Sequence, residues 1–173
     1  MTCDEVLARL RETRAEFDRL VAAIPAERLT VPVPGGAHSP KDLVFHVTAY
    51  EDLIVQRLRC ARTGELTEFD RDRDSYEAFN ARIWAEAATT TVPSTRAQAA
   101  RTFLNLLEEI GHLSDEELNG NAGITKGIDH AWLQDRTLAE TIGVDGFEHY
   151  PMHYAGLAAA GGSAGADSGE GDA

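Results

Sequence analysis

The chain has 173 residues, of which 43% are hydrophobic, and this favours one globular domain with a packed core. Its formal net charge of −13 argues against contacts with phosphate backbones or anionic lipid, so we expect neither a nucleic-acid nor a membrane partner. Two distant cysteines, no signal-like N-terminus and no apolar run of ~20 residues favour a cytoplasmic location.

The first two helices are marked by their capping residues. Thr2 and Glu5 form a capping-box pattern ahead of an apolar repeat of helical spacing, which Pro25 ends. A loop rich in Pro and Gly follows. The run Ser39-Pro40-Lys41-Asp42 then begins a second helix, because serine caps a helix and proline suits its first position. We predict that this helix reaches about residue 62 and that Gly64 closes it.

The middle of the chain predicts a broken third helical region. A charged loop, residues 65–74, precedes helical patterns at residues 75–88 and 94–112, with Pro93 between them. A long loop, residues 119–135, leads to the last helix, which opens on the capping box of Thr137 and Glu140. Since no strand alternation occurs, we predict an all-α four-helix bundle.

The end of the chain has a different composition from the rest. Residues 161–173 contain only Gly, Ala, Ser and acidic residues, a composition that cannot bury enough apolar surface to fold. We therefore predict a bundle domain over residues 1–160 and a disordered acidic tail over residues 161–173.

Three histidines are candidate metal ligands. His149 and His153 lie four residues apart on the apolar row of the last predicted helix, a spacing at which two imidazoles can bind one ion. His46 lies on the corresponding row of the second helix, and bundles build metal sites from facing helices. Three protein ligands with one open position are typical of a catalytic metal. Each histidine taken alone also fits a core residue bonded to a backbone carbonyl.

Two neighbours of His46 are candidate catalytic residues. Glu51 is the one charge on an otherwise aliphatic row of the second helix. Its carboxylate either reaches solvent at the edge of that row, or lies partly buried and orients a histidine ligand or accepts a proton. The hydroxyl of Tyr50 either donates to a substrate oxygen or only packs. Trp84 either lines a pocket or belongs to the core.

The segments 39–51 (SPKDLVFHVTAYE) and 147–154 (FEHYPMHY) resemble the DinB/YfiT-like superfamily of metalloenzymes. In that family one histidine of the second helix and an HxxxH motif on the last helix bind Zn or Ni, and His46, His149 and His153 occupy those places. Residues 132–153 are most similar to the ClbS/DfsB group of four-helix bundle proteins. The resemblance thus implies a divalent metal ion, most simply Zn or Ni, in this chain.

The resemblance also sets the functional expectation. Members include thiol-dependent transferases and isomerases, and the ClbS group includes a hydrolase that opens a reactive cyclopropane. We expect a metal-dependent enzyme that acts on a small electrophilic molecule by hydrolysis or low-molecular-weight thiol transfer, in detoxification or self-resistance. The alternatives are a protein that sequesters a reactive metabolite without turnover, and a bundle whose metal is structural. A homodimer formed through a helix face is a further expectation.

Overall fold

A computed structural model describes residues 1–162, and all regular structure within this range is helical. The α-helices are α1 (Cys3–Ala22), α2 (Pro40–Thr63), α3 (Glu68–Arg71), α4 (Tyr76–Thr89), α5 (Val92–Gly111), α6 (Asp115–Asn119), α7 (His130–Leu133), α8 (Leu138–Asp145) and α9 (Pro151–Gly162). Short 3-10 turns lie at Ala26–Arg28 and Gly123–Gly127. None of the described helices is long and apolar enough to cross a membrane.

The predicted helix ends are confirmed by their caps. The Thr2 hydroxyl accepts from the Glu5 amide, and the Glu5 carboxylate accepts from the Thr2 amide, which satisfies two free donors of α1. Ser39 and Asp42 form the same reciprocal pair at the start of α2. At the other end of α2, Gly64 has φ 73°, a left-handed conformation that glycine adopts without steric cost.

The bundle is built from α1, α2, α5 and the pair α8–α9. Helix α1 packs on α5 and α9, while α2 packs on α5, α8 and α9. Fully buried aliphatic and aromatic side chains from all four sides form one core, among them Leu10, Phe17, Ile54, Leu106 and Leu157. Helix α4 packs against α2 and forms a second apolar cluster there. The prediction of an all-α bundle with a broken third region is confirmed.

Three predicted segments differ in detail. The charged loop over residues 65–74 contains α3, which Thr67 caps through its hydroxyl. The long loop over residues 119–135 contains a 3-10 turn and α7, so it is partly ordered by local hydrogen bonds. Helix α9 runs to Gly162, two residues past the predicted domain end. The remainder of the predicted tail, residues 163–173, lies outside the described residues.

Candidate metal centre

His46 reaches the bundle interior from the second turn of α2. The Ser39–Asp42 capping box and Pro40 fix where the helix begins, and therefore which way His46 points. The residue is only 6% exposed.

The other two histidines are not on one continuous helix, and this corrects the expectation from their spacing. Helix α8 ends at Asp145, Gly146 has the non-helical angles φ −116° and ψ −102°, and α9 begins at Pro151. His149 therefore lies in the connecting turn and His153 lies in the first turn of α9. Backbone hydrogen bonds of the i to i−3 type, such as His149 N to Gly146 O (2.9 Å), hold the turn. Proline at position 151 suits the start of the new helix because it has no amide hydrogen to donate.

The three imidazoles nevertheless converge. One ring nitrogen from each of His46, His149 and His153 lies within 4.8 Å of the others. The Nε2 atoms of His46 and His149 are 3.1 Å apart, although the residues are 103 positions apart in the chain. Nitrogens bound to a single zinc ion are separated by roughly 3–3.5 Å, because each lies ~2.0–2.1 Å from the metal in a tetrahedral site. The separation of His46 and His149 is therefore close to the one that a single ion requires, and the nitrogen of His153 lies within 4.8 Å of both.

Unpaired ring nitrogens support the fit to a metal. Nδ1 of His46 and Nε2 of His153 are both buried, and neither has a hydrogen-bond partner within the described residues. Buried polar atoms are nearly always paired, since leaving one unpaired costs about 1–3 kcal/mol. Imidazole nitrogens are donors that a divalent ion of the zinc or nickel type prefers, and an ion is one partner that could satisfy such a cluster.

The histidines are held in the neutral form that binds metal. Burial first, and the nearby His149, His153 and His38 second, together lower the pKa of His46 to about 3. Burial, followed by the proximity of His153, lowers the pKa of His149 to about 4. Burial also lowers the pKa of His153. Near pH 7 no proton therefore competes with an ion for these nitrogens.

Two more residues lie around the cluster: Trp84, which the sequence left as either a pocket wall or a core residue, and His38, which no sequence pattern singled out. The Trp84 ring stacks on His46 at a centroid distance of 4.4 Å and on His38 at 3.7 Å. His38 belongs to the Pro/Gly loop between α1 and α2. No periodic pattern links residues 38, 46 and 84, so the sequence carried no signal for this stack.

Tyr50 presents its ring, rather than its hydroxyl, to the histidines. Its ring centroid lies 5.0 Å from that of His46 and 4.7 Å from that of His149. The hydroxyl donates to Oδ1 of Asn80 on α4 at 3.1 Å. Burial raises the pKa of the Tyr50 hydroxyl, which favours its protonated, donating form. Tyr50 is thus an aromatic wall of the cluster.

Glu51 is fully buried, and its hydrogen bonds go to Arg14 and Tyr150 rather than to any of the three imidazoles. Its Oε1 accepts from Nη1 of Arg14 at 2.6 Å and, by a short hydrogen bond, from the Tyr150 hydroxyl. Burial raises the pKa of the Glu51 carboxyl, while Arg14 and the Tyr150 hydrogen bond act in the opposite direction. Since Tyr150 directly follows His149, Glu51 is linked to the cluster through the connecting turn.

Arg14 was the one partner that the sequence could have revealed. It lies on the apolar face of α1 between Leu10 and Phe17, as Glu51 lies on the apolar row of α2. Two opposite charges placed on apolar faces of neighbouring helices indicate a buried ion pair.

Solved structures of low sequence identity share this fold. The colibactin self-resistance protein ClbS, crystallised in complex with a dsDNA, matches with TM-score 0.73 and 14% identity over 90% of this chain and 93% of ClbS. DfsB, described as a sibling lethal factor precursor, matches with TM-score 0.73 and 14% identity, covering 91% of this chain and 93% of DfsB. A Streptococcus pneumoniae protein matches with TM-score 0.74 and 14% identity over 91% and 88%. A comparison with curated proteins finds no match.

The expectation of no nucleic-acid partner is contradicted by ClbS, which was crystallised with double-stranded DNA. The expectation rested on the net charge of −13, which sums the whole chain. Contacts with phosphates are made by a local set of cationic and amide groups, so a net charge cannot exclude them for a given surface.

Family membership follows from a match to the chain itself. A family model of the DinB superfamily matches residues 9–143, a range that runs from α1 into α8 and includes His46. His149 and His153 follow within ten residues of its end. The resemblance noted in residues 39–51 and 147–154 is confirmed: the chain belongs to the DinB superfamily.

Proposed function

We propose that this protein is a metal-dependent enzyme that acts on a small electrophilic molecule, by hydrolysis or by transfer of a low-molecular-weight thiol. The observation that carries the proposal is the convergence of three neutral imidazoles, two of which have an unpaired buried nitrogen. His46, His149 and His153 would hold one divalent ion, with Zn or Ni the best fit to an all-nitrogen donor set. Such an ion supplies Lewis acidity toward water, a thiol or a carbonyl.

The surrounding side chains have positioning roles in this proposal. Glu51 fixes Tyr150, and through it the turn that carries His149, so that the imidazole is directed at the ion before any substrate arrives. Tyr50 and Trp84 wall the cluster and keep water away from His46. This replaces the expected direct contact between Glu51 and a histidine by an indirect one.

Similar structures support a protective role. ClbS is a self-resistance protein, and its chain has the same fold over nearly its full length. Because one fold supports different chemistries, this similarity favours detoxification only together with the histidine cluster.

The test is metal analysis combined with turnover. Wild type and the variants His46→Ala, His149→Ala and His153→Ala are stripped with a chelator, reloaded with Zn²⁺ or Ni²⁺, and analysed for bound metal. Each is then incubated with a panel of small epoxides and activated cyclopropanes, with and without cysteine. We expect one ion per wild-type chain and metal-dependent turnover. The matched control is His112→Ala, which removes an exposed histidine outside the cluster.

Each outcome separates the alternatives. Metal-dependent turnover that the three variants lose supports the enzyme. Stoichiometric capture of an electrophile without turnover supports a sequestering protein instead. Equal metal content in wild type and His46→Ala would show that α2 contributes no ligand, and the proposal would fail.

A second candidate function is binding of double-stranded DNA, favoured by the complex of ClbS with dsDNA. Fluorescence anisotropy of a labelled duplex at increasing salt measures it directly. If phosphate contacts are involved, the affinity falls steeply with salt concentration. An anisotropy that stays constant at low salt would reject DNA binding by this chain.

A further inference from the structure

A groove of about 710 Å³ lies beside α2, on the far side of an aromatic layer from the histidines. Its walls come from α2, α3 and α4, with Gln98 of α5 at one end. Phe79 lines the groove, the Tyr50 ring packs behind Phe79 at 5.4 Å, and His149 packs behind Tyr50 at 4.7 Å. The groove is therefore separate from the candidate metal centre.

The floor of the groove is apolar. Phe45, Leu53 and Ile83 are each less than 5% exposed, and the half-buried Phe69 and Phe79 extend this surface toward the opening. A volume of this size lies within the ~300–1,000 Å³ typical of small-molecule sites. The groove is thus large enough to bind an apolar group of a few carbon rings.

The rim of the groove carries an excess of negative charge. Five carboxylates line it, against the single guanidinium of Arg82, which is already paired with Asp74. Asp72 is paired with Arg71. Asp52, Glu68 and Glu86 form no ion pair among the described residues, and the remaining residues 163–173 contain no Lys or Arg that could supply one.

We propose that this groove binds a small amphipathic cation, with its apolar body on the floor and its ammonium group at the acidic rim. The floor supplies the apolar burial, and the carboxylates that form no ion pair supply the charge opposite to that of the ligand. The site does not depend on the metal centre, so it can be tested on metal-free protein.

The test uses two probes with the same apolar body and opposite charge. Phenylbutylamine is a cation at pH 7 and phenylbutyrate is an anion, and each is titrated into ¹⁵N-labelled protein while backbone amide shifts are recorded. We expect the amine to bind with a Kd of ~0.1–1 mM, as suits a ligand of this size, and to shift the amides of Ala49 and Arg82. Butylamine, which lacks the ring, should bind at least ~10-fold more weakly because less apolar area is buried.

A matched pair of double variants locates the charge effect. Glu68→Gln/Glu86→Gln removes two rim carboxylates and should weaken amine binding ~10-fold at low salt. Glu12→Gln/Glu108→Gln makes the same change in net charge at exposed positions of α1 and α5 and should leave the affinity within about twofold. The proposal is overturned if the amine and the carboxylate bind with equal affinity, or if the amine shows no saturable binding. It is also overturned if the two double variants lose the same amount of affinity for the amine.

Discussion

Two buried polar clusters use side chains of α2, and they differ in how completely their polar atoms are paired. About two helical turns along α2 from Tyr50, Arg57 donates to both carboxylate oxygens of Asp70, at 3.2, 3.0 and 2.7 Å. Asp145 lies 3.6 Å from the same guanidinium and accepts from the Trp132 indole at 2.7 Å. Within the described residues, neither Arg57 nor Asp70 leaves a buried atom unpaired.

The histidine cluster lacks that completeness. Two of its buried nitrogens have no protein partner, and two of its imidazoles face each other at 3.1 Å. A fully paired network stabilises the packing of the helices it joins, whereas an incompletely paired one is stable only if something else satisfies it. The comparison therefore favours a stabilising role for the Arg57 network and is consistent with the ligand binding that we propose for the histidines. The following predictions test that division.

The largest expected effect is on the Arg57 network. Arg57→Met removes the guanidinium that pairs with the buried Asp70 and lies beside Asp145, so we expect the free energy of unfolding to fall by about 3–5 kcal/mol. Urea denaturation measures it. Arg59→Met is the matched control on the same helix, because the Arg59 side chain is 51% exposed and its ion pair with Glu109 should contribute at most about 1 kcal/mol. If both variants lose a similar free energy of unfolding, the Arg57 network does not stabilise the fold more than the exposed Arg59 ion pair does.

Next in size is the loss of a candidate ligand. His153→Ala should weaken metal binding at least ~100-fold, since two nitrogens hold an ion far less tightly than three. The unfolding free energy of the metal-free protein should change little, because the removed ring contributes an unpaired nitrogen. Competition with a chromogenic chelator measures the affinity. A variant that keeps wild-type affinity would show that His153 is not a ligand.

A third prediction concerns pH and the metal-free protein. His46 and His149 have lowered pKa values, so below about pH 6.5 the unfolded chain binds protons that the folded chain does not. Stability should therefore fall as the pH falls from 6.5 toward 4, by about 1 kcal/mol for each of the two imidazoles between pH 6.5 and 5.5. Denaturation curves at several pH values measure the slope. His149→Gln should reduce that slope, and an unchanged slope would contradict the assignment.

The smallest expected effect is that of Tyr150→Phe. It removes the hydrogen bond to Glu51 while Arg14 still pairs the carboxylate, so we expect a loss of about 1 kcal/mol in stability. Metal affinity should fall by no more than ~10-fold, because the turn that carries His149 is only loosened. Tyr154→Phe, which removes a hydrogen bond to the Thr13 carbonyl, is the control and should leave metal affinity unchanged. If Tyr150→Phe and Tyr154→Phe bind the metal with the same affinity, Glu51 does not position the turn that carries His149.

Local patterns accounted for much of the architecture but misjudged one element near the site. The caps of α1, α2 and α8 were visible because each involves residues only three positions apart. The break between α8 and α9 was missed, although Gly146 and Pro151 both flank it. The apolar row of residues 142, 149 and 153 continues across the break, and periodicity alone does not distinguish one helix from two joined by a tight turn.

The candidate ligands could be named from spacing and family resemblance, yet their surroundings could not. By itself, the sequence determined the capped starts of α1, α2 and α8, the apolar faces and which residue types were available for chemistry, because these depend on neighbours within a few positions. The tertiary structure decided which of them meet: Glu51 with Arg14 across 37 positions, and His46 with His149 across 103. It also placed Trp84 and His38 over the cluster. Such pairings follow from how whole helices pack, and packing depends on side-chain shape along the entire interface.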